Sequence, residues 1–265
     1  MSSEKPLVYL FLGIAGSGRR EVVANLIADG LAPEDRAATL LAEGEAACAS
    51  DARLDSPARW HWTPDHKIEA ALPAGATHVF FVTDGRRNPV DQVEAFKVWL
   101  DAAGAELGSI LCVVHCQLAE KHHTLLAWYD ACVHFSDIVL LNRRDGVANK
   151  WMSDLQGRYK AQFLPCLLEF VKNGHVKNPV LILEPQARRI SQVFDPAEDL
   201  GLAEGIEIHD ETEDDSDETA AEGGEAEDAP QEDPYFARKP GGRRVKEIPD
   251  LAKFLGTAES TAAQP

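Results

Sequence analysis

The residues whose types and spacing fit a definite chemistry lie within residues 7–30. An apolar run at residues 7–12 predicts a buried parallel strand, and residues 21–28 predict a helix with one apolar side. The turn between them is rich in small residues, namely Gly13, Gly16, Ser17 and Gly18. Glycine lets backbone amides converge on an anion, and the N-terminus of a helix adds a positive dipole. This layout therefore predicts a phosphate-binding loop.

The two residues after this turn decide what such a loop can hold. The spacing fits the motif G-x-x-x-x-G-K-[ST], with Arg19 at the lysine position and Arg20 at the Ser/Thr position. An arginine can pair with a phosphate through two parallel hydrogen bonds, but it cannot ligate a cation. We therefore expect phosphate binding that depends little on Mg²⁺. The alternative interpretation is a plain strand–helix turn in some other α/β domain.

A second pair of chemically suggestive residues, Asp84 and Gly85, follows the apolar strand predicted at residues 77–83. An acid at the carboxyl end of a buried strand beside a phosphate loop is well placed to hold Mg²⁺, usually through water. The amide of the following glycine is suited to bind a terminal phosphate. Asp-Gly is also common turn chemistry, so a simple turn is the alternative.

A third pattern, Asn142-Arg143-Arg144-Asp145, follows the apolar strand predicted at residues 137–141. Guanine-nucleotide proteins place N-K-x-D after such a strand. In that role Asp145 would accept two hydrogen bonds that adenine cannot supply, Asn142 would brace the loop, and the flat Arg143 side chain would cover the base. An isolated tetrapeptide of this kind is usually a charged turn. Its place after a strand, beyond the phosphate loop, favours a guanine site.

The rest of residues 1–195 alternates predicted strands and helices. Further strands are predicted at residues 36–41, 59–62, 110–115 and 178–183. Helices are predicted at residues 65–72, 89–103, 120–133 and 148–171, the last of them bent near Pro165. Because strands and helices alternate, we expect a three-layer α/β fold with a mostly parallel sheet covered on both faces.

The acidic charge of the chain is concentrated in one segment. The 265 residues carry a net charge of −18, but residues 195–233 hold 18 acidic side chains and no Lys or Arg, so the remainder is close to neutral. Bulk charge therefore does not favour nucleic-acid binding. Residues 196–231 contain no aromatic side chain, and we expect them to be a disordered acidic tether. Removing everything after Asp195 is then expected to leave the melting temperature nearly unchanged.

A different composition follows this tether. Residues 233–256 combine aromatic, basic and apolar side chains, which is typical of a docking motif that folds on a protein partner. Packing back onto the rest of the chain is equally compatible with this composition. The sequence does not separate the two possibilities.

The cysteines and the first residues indicate a reduced compartment. The five cysteines are Cys48, Cys112, Cys116, Cys132 and Cys166. Their number is odd, and none belongs to a C-x-x-C pair. The first residues lack the basic and apolar regions of a secretory signal, and no stretch approaches the length of a membrane span. We expect a cytoplasmic protein that does not bind membranes.

Four stretches, taken in order, resemble motifs of the CobW-like GTPases, which are related to the nickel-insertion GTPases of hydrogenase and urease. They are GIAGSGRRE at residues 13–21, ATLLAEGE at 38–45, VFFVTDGRRNPVDQV at 79–93 and SDIVLLNRRD at 136–145. These resemble, respectively, G-x-x-G-x-G-K-T-T, a strand ending in N-E-x-G-E, a strand followed by E-[ST]-[ST]-G-x-x-[DN]-P, and A-D-x-I-x-L-N-K-x-D. The resemblance spans residues 6–195 and implies a P-loop nucleotide-binding domain.

Several departures from the family pattern limit what this resemblance implies. The family's lysine and hydroxyl are replaced by Arg19 and Arg20. Its G-C-x-C-C metal motif should lie near residues 55–70, where this chain has no cysteine, so the family's metallochaperone site is not expected. An acidic tail stands in place of the family's C-terminal domain.

The sequence therefore predicts three parts: a GTPase-like domain at residues 1–195, an acidic disordered linker at 196–232, and a basic and aromatic segment at 233–265. The first functional hypothesis is a switch or sensor that binds GTP or GDP and hydrolyses GTP weakly or not at all. The alternative is a pseudo-GTPase scaffold that binds a protein partner through its C-terminal segment, without nucleotide.

Overall fold

A nine-stranded sheet forms the centre of the fold. The computed structural model describes residues 5–54, 57–195 and 232–255. The strands are β1 Leu7–Leu12, β2 Ala37–Ala42, β3 Ala58–Trp62, β4 Ile68–Glu69, β5 His78–Val82, β6 Glu106–His115, β7 Ile138–Asn142, β8 Leu167–Lys172 and β9 His175–Val176. Their order is β4-β3-β2-β5-β1-β6-β7-β8-β9, and only the edge pairs β3–β4 and β8–β9 are antiparallel. The predicted α/β class with a mostly parallel sheet is confirmed.

Helices cover both faces of this sheet. They are α1 Arg19–Gly30, α2 Pro89–Ala103, α3 Cys116–Lys121, α4 Leu126–Phe135, α5 Asn149–Ala161 and α6 Pro179–Leu183. Because successive strand residues point to opposite faces, Leu10 lies in the core shared with α2, α4 and α5, while Phe11 lies in the core shared with α1 and α6. The carboxyl ends of the parallel strands share one edge, where the turns after β1, β5 and β7 meet.

Two predicted elements in the second half of the domain are wrong. The helix expected at residues 148–171 ends at Ala161, and β8 begins at Leu167. Pro165 lies between them, and a proline breaks a helix rather than merely bending it when the following residues pair with a sheet. The strand expected at residues 178–183 is instead the short helix α6, with Pro179 in its first turn, where proline is favoured.

Two more predicted helices differ from the structure. Residues 65–72 form a turn and the short strand β4, which pairs with β3 through Ile68 and Trp62. The helix expected at residues 120–133 is divided at His122, with α3 before it and a 3₁₀ turn and α4 after it. In both stretches the spacing of the apolar residues does not distinguish a continuous helix from the elements that form.

The C-terminal strap, which we define as residues 232–255, packs back onto the body formed by the preceding described residues. Arg244 pairs with two acids of α2, Asp91 at 2.6 Å and Glu94 at 2.5 Å. Leu251 is buried in the core shared with α2 and α4. Of the two possibilities that the sequence left open, the structure shows packing onto the body.

The beginning of the strap is fastened at the end of α4. The Asp233 carboxylate accepts a hydrogen bond from Ser191 at 2.5 Å and lies 2.8 Å from His134 Nε2. Burial alone would raise the pKa of Asp233, but the bonds from His134 and Ser191 hold it below its ordinary value. Because this strap is docked, the expectation that truncation after Asp195 leaves stability unchanged no longer holds.

The acidic linker predicted at residues 196–232 lies outside the described residues, apart from its last position. Within the described ranges, no helix combines the length and the apolar character needed to cross a bilayer.

Candidate functional site

The glycine-rich turn lies between β1 and α1, where the sequence predicts a phosphate-binding loop. Gly13, Gly16 and Gly18 all have positive φ angles. A Cβ at Gly13 would lie 2.6 Å from the carbonyl oxygen of Val113, and one at Gly18 would lie 2.3 Å from Asn142 Nδ2. Glycine is therefore required at these two positions both by the backbone conformation and by the close packing of neighbouring strands.

The side chain of Asn142 joins the loop after β7, residues 142–145, to this turn. Asn142 Nδ2 donates a 2.8 Å hydrogen bond to the carbonyl oxygen of Ser17. The Ser17 hydroxyl is enclosed and has no hydrogen-bond partner among the described residues. This hydrogen bond links the turns after β1 and β7.

Arg19 is turned toward protein groups rather than toward solvent. Its side chain is only 4% exposed. The guanidinium donates to the carbonyl oxygen of Thr83 at the end of β5 and to the carboxylate of Glu45 after β2. The residue at the lysine position of the motif therefore connects three strand ends instead of pointing into open space.

Arg20 is held by two acids and a carbonyl group. Its guanidinium lies 2.9 Å from oxygens of both Glu45 and Asp51, and it donates to the carbonyl of Ala46 at 3.0 Å. Burial lowers the pKa of the Arg20 guanidinium, but the two carboxylates outweigh this effect and raise it. We refer to Arg19, Arg20, Glu45 and Asp51 together as the P-loop ion cluster.

Glu45 is the centre of this cluster. Its side chain is 10% exposed, and it accepts a further hydrogen bond from the Gly85 amide at 2.7 Å. Burial alone would raise the pKa of Glu45, but Arg19, the Gly85 amide and Arg20 together hold it below its ordinary value. The carboxylate is therefore ionised near neutral pH and bound from three sides.

Gly85 is packed against the glycine-rich turn. Its carbonyl oxygen accepts a 2.9 Å hydrogen bond from the Ala15 amide, and a Cβ at Gly85 would lie 2.3 Å from that nitrogen. The Gly85 amide, which the sequence predicts as a donor to a terminal phosphate, therefore donates to Glu45. The Gly85 carbonyl oxygen accepts a hydrogen bond from an amide of the glycine-rich turn.

Asp84, the predicted Mg²⁺ ligand, is engaged in its own turn. Its carboxylate accepts hydrogen bonds from the Arg86 amide and from Arg87 Nε, both at 3.0 Å, and its amide donates to Gln92 at 2.7 Å. Within the described ranges, no group of three His, Cys, Asp or Glu side chains is arranged to hold a metal ion. These contacts fit the turn interpretation and give no support to a metal site.

The other two residues of the predicted guanine site, Arg143 and Asp145, differ in their contacts with neighbouring groups. Arg143, at a positive φ of 52°, pairs with Glu21 of α1 at 2.6 Å and lies 3.3 Å from the Gly16 carbonyl oxygen. Asp145 is exposed, and its carboxylate makes no hydrogen bond within the part of the chain that the structure describes. One predicted base contact is therefore directed back to the loop, and the other is accessible.

Sequence reasoning missed the acids of this site. Glu21, Glu45 and Asp51 each neutralise an arginine that the motifs singled out. Two adjacent arginines at a helix N-terminus, where the dipole is already positive, are a signal that nearby acids or a bound anion must compensate them. The signal identifies the need for an acid, but not which of the many acids supplies it.

Comparisons with known proteins find structures with a similar chain path but low sequence identity. No protein-family model matches the chain, and no curated protein matches it in sequence. The Zn(II)-bound YjiA GTPase from E. coli is 12% identical, with a TM-score of 0.44 over 70% of this chain and 67% of that one. A Zn(II)-bound triple mutant of YjiA is 14% identical, with a TM-score of 0.44 over 69% and 67%.

A third similar structure is the hydrogenase maturation factor HypB from Archaeoglobus fulgidus. It is 12% identical, with a TM-score of 0.41 over 63% of this chain and 81% of that chain. At such identity the similarity concerns the fold alone, and neither nucleotide nor metal chemistry follows from it for this chain.

Proposed function

We propose that this chain is a pseudo-GTPase scaffold whose phosphate site is closed by its own charged side chains. The observation that carries the proposal is the position of Glu45. In P-loop GTPases the loop lysine contacts the terminal phosphates, and Mg²⁺ neutralises their charge. Here Arg19, at the lysine position, and the Gly85 amide both bind the Glu45 carboxylate. Glu45 is an internal anion that takes the contacts a terminal phosphate would need.

Arg20 supports the same proposal, because it stands at the position of the motif's Mg²⁺ ligand. The Ser/Thr hydroxyl of the motif would ligate Mg²⁺, whereas Arg20 places a fixed positive charge between Glu45 and Asp51. A guanidinium between two carboxylates compensates their charge without a metal ion. With no ligand hydroxyl at this position and Asp84 bound to Arg87, the site lacks the groups that assist phosphoryl transfer.

A scaffold role also implies a protein partner. The sequence predicts the C-terminal segment as the partner surface, but Phe236 stacks on Phe135, the Tyr235 ring meets Phe135 at a tilt, and Leu251 is buried in the body. A partner that binds this segment would have to compete with these contacts. We therefore propose partner binding for the full chain without assigning it to the strap.

Guanine-nucleotide binding is the second candidate, and two observations favour it. Asn142 holds the base-side loop against Ser17, and the Asp145 carboxylate is accessible for the guanine edge. Because Glu45 takes the terminal-phosphate contacts, GDP should then bind more tightly than GTP, and Mg²⁺ should have little effect. Turnover of GTP should not exceed that of an unassisted small GTPase, on the order of 10⁻⁴ s⁻¹.

Titration of the purified full chain with GDP, GTP and ATP, each with and without Mg²⁺, separates these candidates. The scaffold proposal predicts no saturable binding of any of the three at submillimolar concentrations. Glu45→Gln should allow measurable GTP binding, because it removes the negative charge that competes with a phosphate for Arg19 and the Gly85 amide. Glu43→Gln is the matched control, since Glu43 is exposed and pairs with His61.

Two results would contradict the proposal. Tight Mg²⁺-dependent binding of GTP by the natural chain would show that Glu45 does not close the site. Brisk Mg²⁺-stimulated hydrolysis would refute both candidates, because each of them lacks a metal at the loop.

A further inference from the structure

An open cavity of about 420 Å³ lies between α5 and β8. Its volume is within the range of small-molecule sites in proteins. The lining residues are Arg144, Asn149, Met152, Ser153, Gln156, Gly157, Lys160 and Phe170. None of these residues belongs to the P-loop ion cluster, and the proposed function makes no use of them.

The charged side chains that line this cavity are both positive. They are Arg144 and Lys160, and no acidic side chain is among the lining residues. Arg144 is held in place by a 3.2 Å hydrogen bond to the Val171 carbonyl oxygen and lies 4.4 Å from the centre of the Phe170 ring. Its Nε is enclosed and has no hydrogen-bond partner among the described residues.

The helix wall of the cavity is the polar and largely exposed flank of α5. The α5 lining residues, at positions 149, 152, 153, 156, 157 and 160, recur at intervals of three and one, so they form one stripe along the helix. Met152 is the only large apolar side chain in that stripe. The same helix buries Met152, Leu155 and Tyr159, so Met152 lies at the border between the cavity and the core.

Gly157 keeps this stripe open. Glycine is unfavourable in the middle of a helix. No atom lies within 4 Å of the position that a Cβ at Gly157 would take, so neighbouring atoms do not require glycine there. Across the cavity, the Phe170 side chain is 43% exposed, which is unusual for a large apolar residue of a sheet. A missing side chain on one wall and a partly exposed ring on the other, with Arg144 over one of its faces, leave room for a ligand.

We propose that the α5–β8 cavity binds a small anion carried on a flat apolar group, such as an aromatic carboxylate or an aryl phosphate ester. Arg144 and Lys160 pair with the anion, because guanidinium and ammonium groups bind carboxylate and phosphate oxygens. The Phe170 ring and Met152 contact the flat group. This site is separate from the P-loop, so the proposal holds whether or not a nucleotide binds there.

Phenyl phosphate is a suitable probe for the full-length chain. Amide NMR shifts on titration should map to α5 and to β8 near Phe170. Lys160→Gln should weaken binding at least about fivefold, the effect of one charge-assisted contact. Gly157→Leu should abolish binding because the new side chain fills the cavity, while the helix is retained since leucine is the better helix former. Lys150→Gln is the matched control, an exposed lysine of α5 outside the cavity, and should bind like the natural chain.

Three outcomes would overturn the proposal. The first is an absence of shifts in α5 and β8 at about 10 mM phenyl phosphate, where even weak fragment binding is visible. The second is equal affinity in the Lys160→Gln, Gly157→Leu and Lys150→Gln variants. The third is equal binding of phenol, which lacks the anion, or of inorganic phosphate, which lacks the flat group.

Discussion

Replacing Glu45 with glutamine tests the P-loop ion cluster most directly. The carboxylate accepts hydrogen bonds from Arg19, Arg20 and the Gly85 amide. Glutamine has nearly the same shape, but it is neutral, and one of its two terminal groups is a donor that cannot accept from a guanidinium. The substitution therefore removes the central negative charge while leaving the volume of the side chain in place.

The expected loss of stability depends on the partners that Arg19 and Arg20 keep in the Glu45→Gln variant. Removing one partner of a buried ion pair costs about 3–5 kcal/mol, because the other charge stays buried without compensation. Arg20 retains Asp51 at 2.9 Å, but among the described residues Arg19 retains only Thr83, through its carbonyl oxygen and, at 3.5 Å, its hydroxyl. We therefore expect a loss near the lower end, about 3 kcal/mol. For a domain of this size that corresponds to a fall in melting temperature of roughly 6–12 °C.

Urea unfolding of the natural chain, Glu45→Gln and Glu43→Gln measures this loss. The exposed Glu43 should contribute less than about 1 kcal/mol through its pair with His61. The folded-state pKa of Glu45 lies below its ordinary value of 4.5, so its stabilisation is complete above that value and is lost as the pH falls through the lowered pKa. The difference between the natural chain and Glu45→Gln should therefore shrink as the pH falls from about 5 to about 3.

The reasoning is refuted if Glu45→Gln costs no more than Glu43→Gln. It is also refuted if the stability difference is the same at pH 3 as at pH 6, because an ionised carboxylate would then have no part in it.

Three further predictions concern the base, the strap and the arginines. If guanine nucleotides bind, GDP should bind at least about tenfold better than ADP, and Asp145→Ala should erase this preference; equal affinities in the natural chain would contradict the guanine assignment. Truncation after Asp195 should destabilise the body by at least about 3 kcal/mol in urea unfolding, because it removes a buried leucine and the partners of two α2 acids; an unchanged midpoint would show that the strap is not docked. The double change Arg19→Lys and Arg20→Thr, made together with Glu45→Gln so that no carboxylate faces the loop, should give nucleotide binding that depends on Mg²⁺, measured calorimetrically, because the motif's ammonium and hydroxyl are restored; a variant that still ignores both nucleotide and Mg²⁺ would favour the scaffold.

Local signals in the sequence predicted the parts of the fold that local physics determines. The apolar runs that became β1, β5, β6 and β7 were recognisable because a strand buried on both faces has no polar alternation. The turn after β1 was recognisable because Gly13 and Gly18 sit where any side chain would collide with Val113 or Asn142. The helix α2 was bounded correctly, since Pro89 lies in its first turn and Gly104 adopts the left-handed conformation after its end.

The elements that were missed depend on contacts distant in sequence. The strand β8 buries only Val171 and exposes Phe170, and it forms a strand because it pairs with β7. The composition of the C-terminal strap predicted a segment that packs against another surface. Its docking depends on Asp91 and Glu94 lying beside Arg244, which is more than a hundred residues away from them in the chain. Neither pairing leaves a local pattern that periodicity can detect.

The arginines and acids of the site are best understood as one unit. Arg19 and Arg20 place two positive charges at the N-terminus of α1, where the helix dipole already favours anions. In a nucleotide-binding loop such charges are compensated by phosphates that arrive with the ligand. Here Glu45 and Asp51 supply two negative charges from the segment after β2, and the Gly85 amide fixes the first of them. An empty loop with two uncompensated arginines would be costly, and an acid facing a loop with lysine and serine would repel a triphosphate. The arginines and the acids are therefore favourable only together. For this reason, the departures from the motif and the acids of this segment support the same functional conclusion.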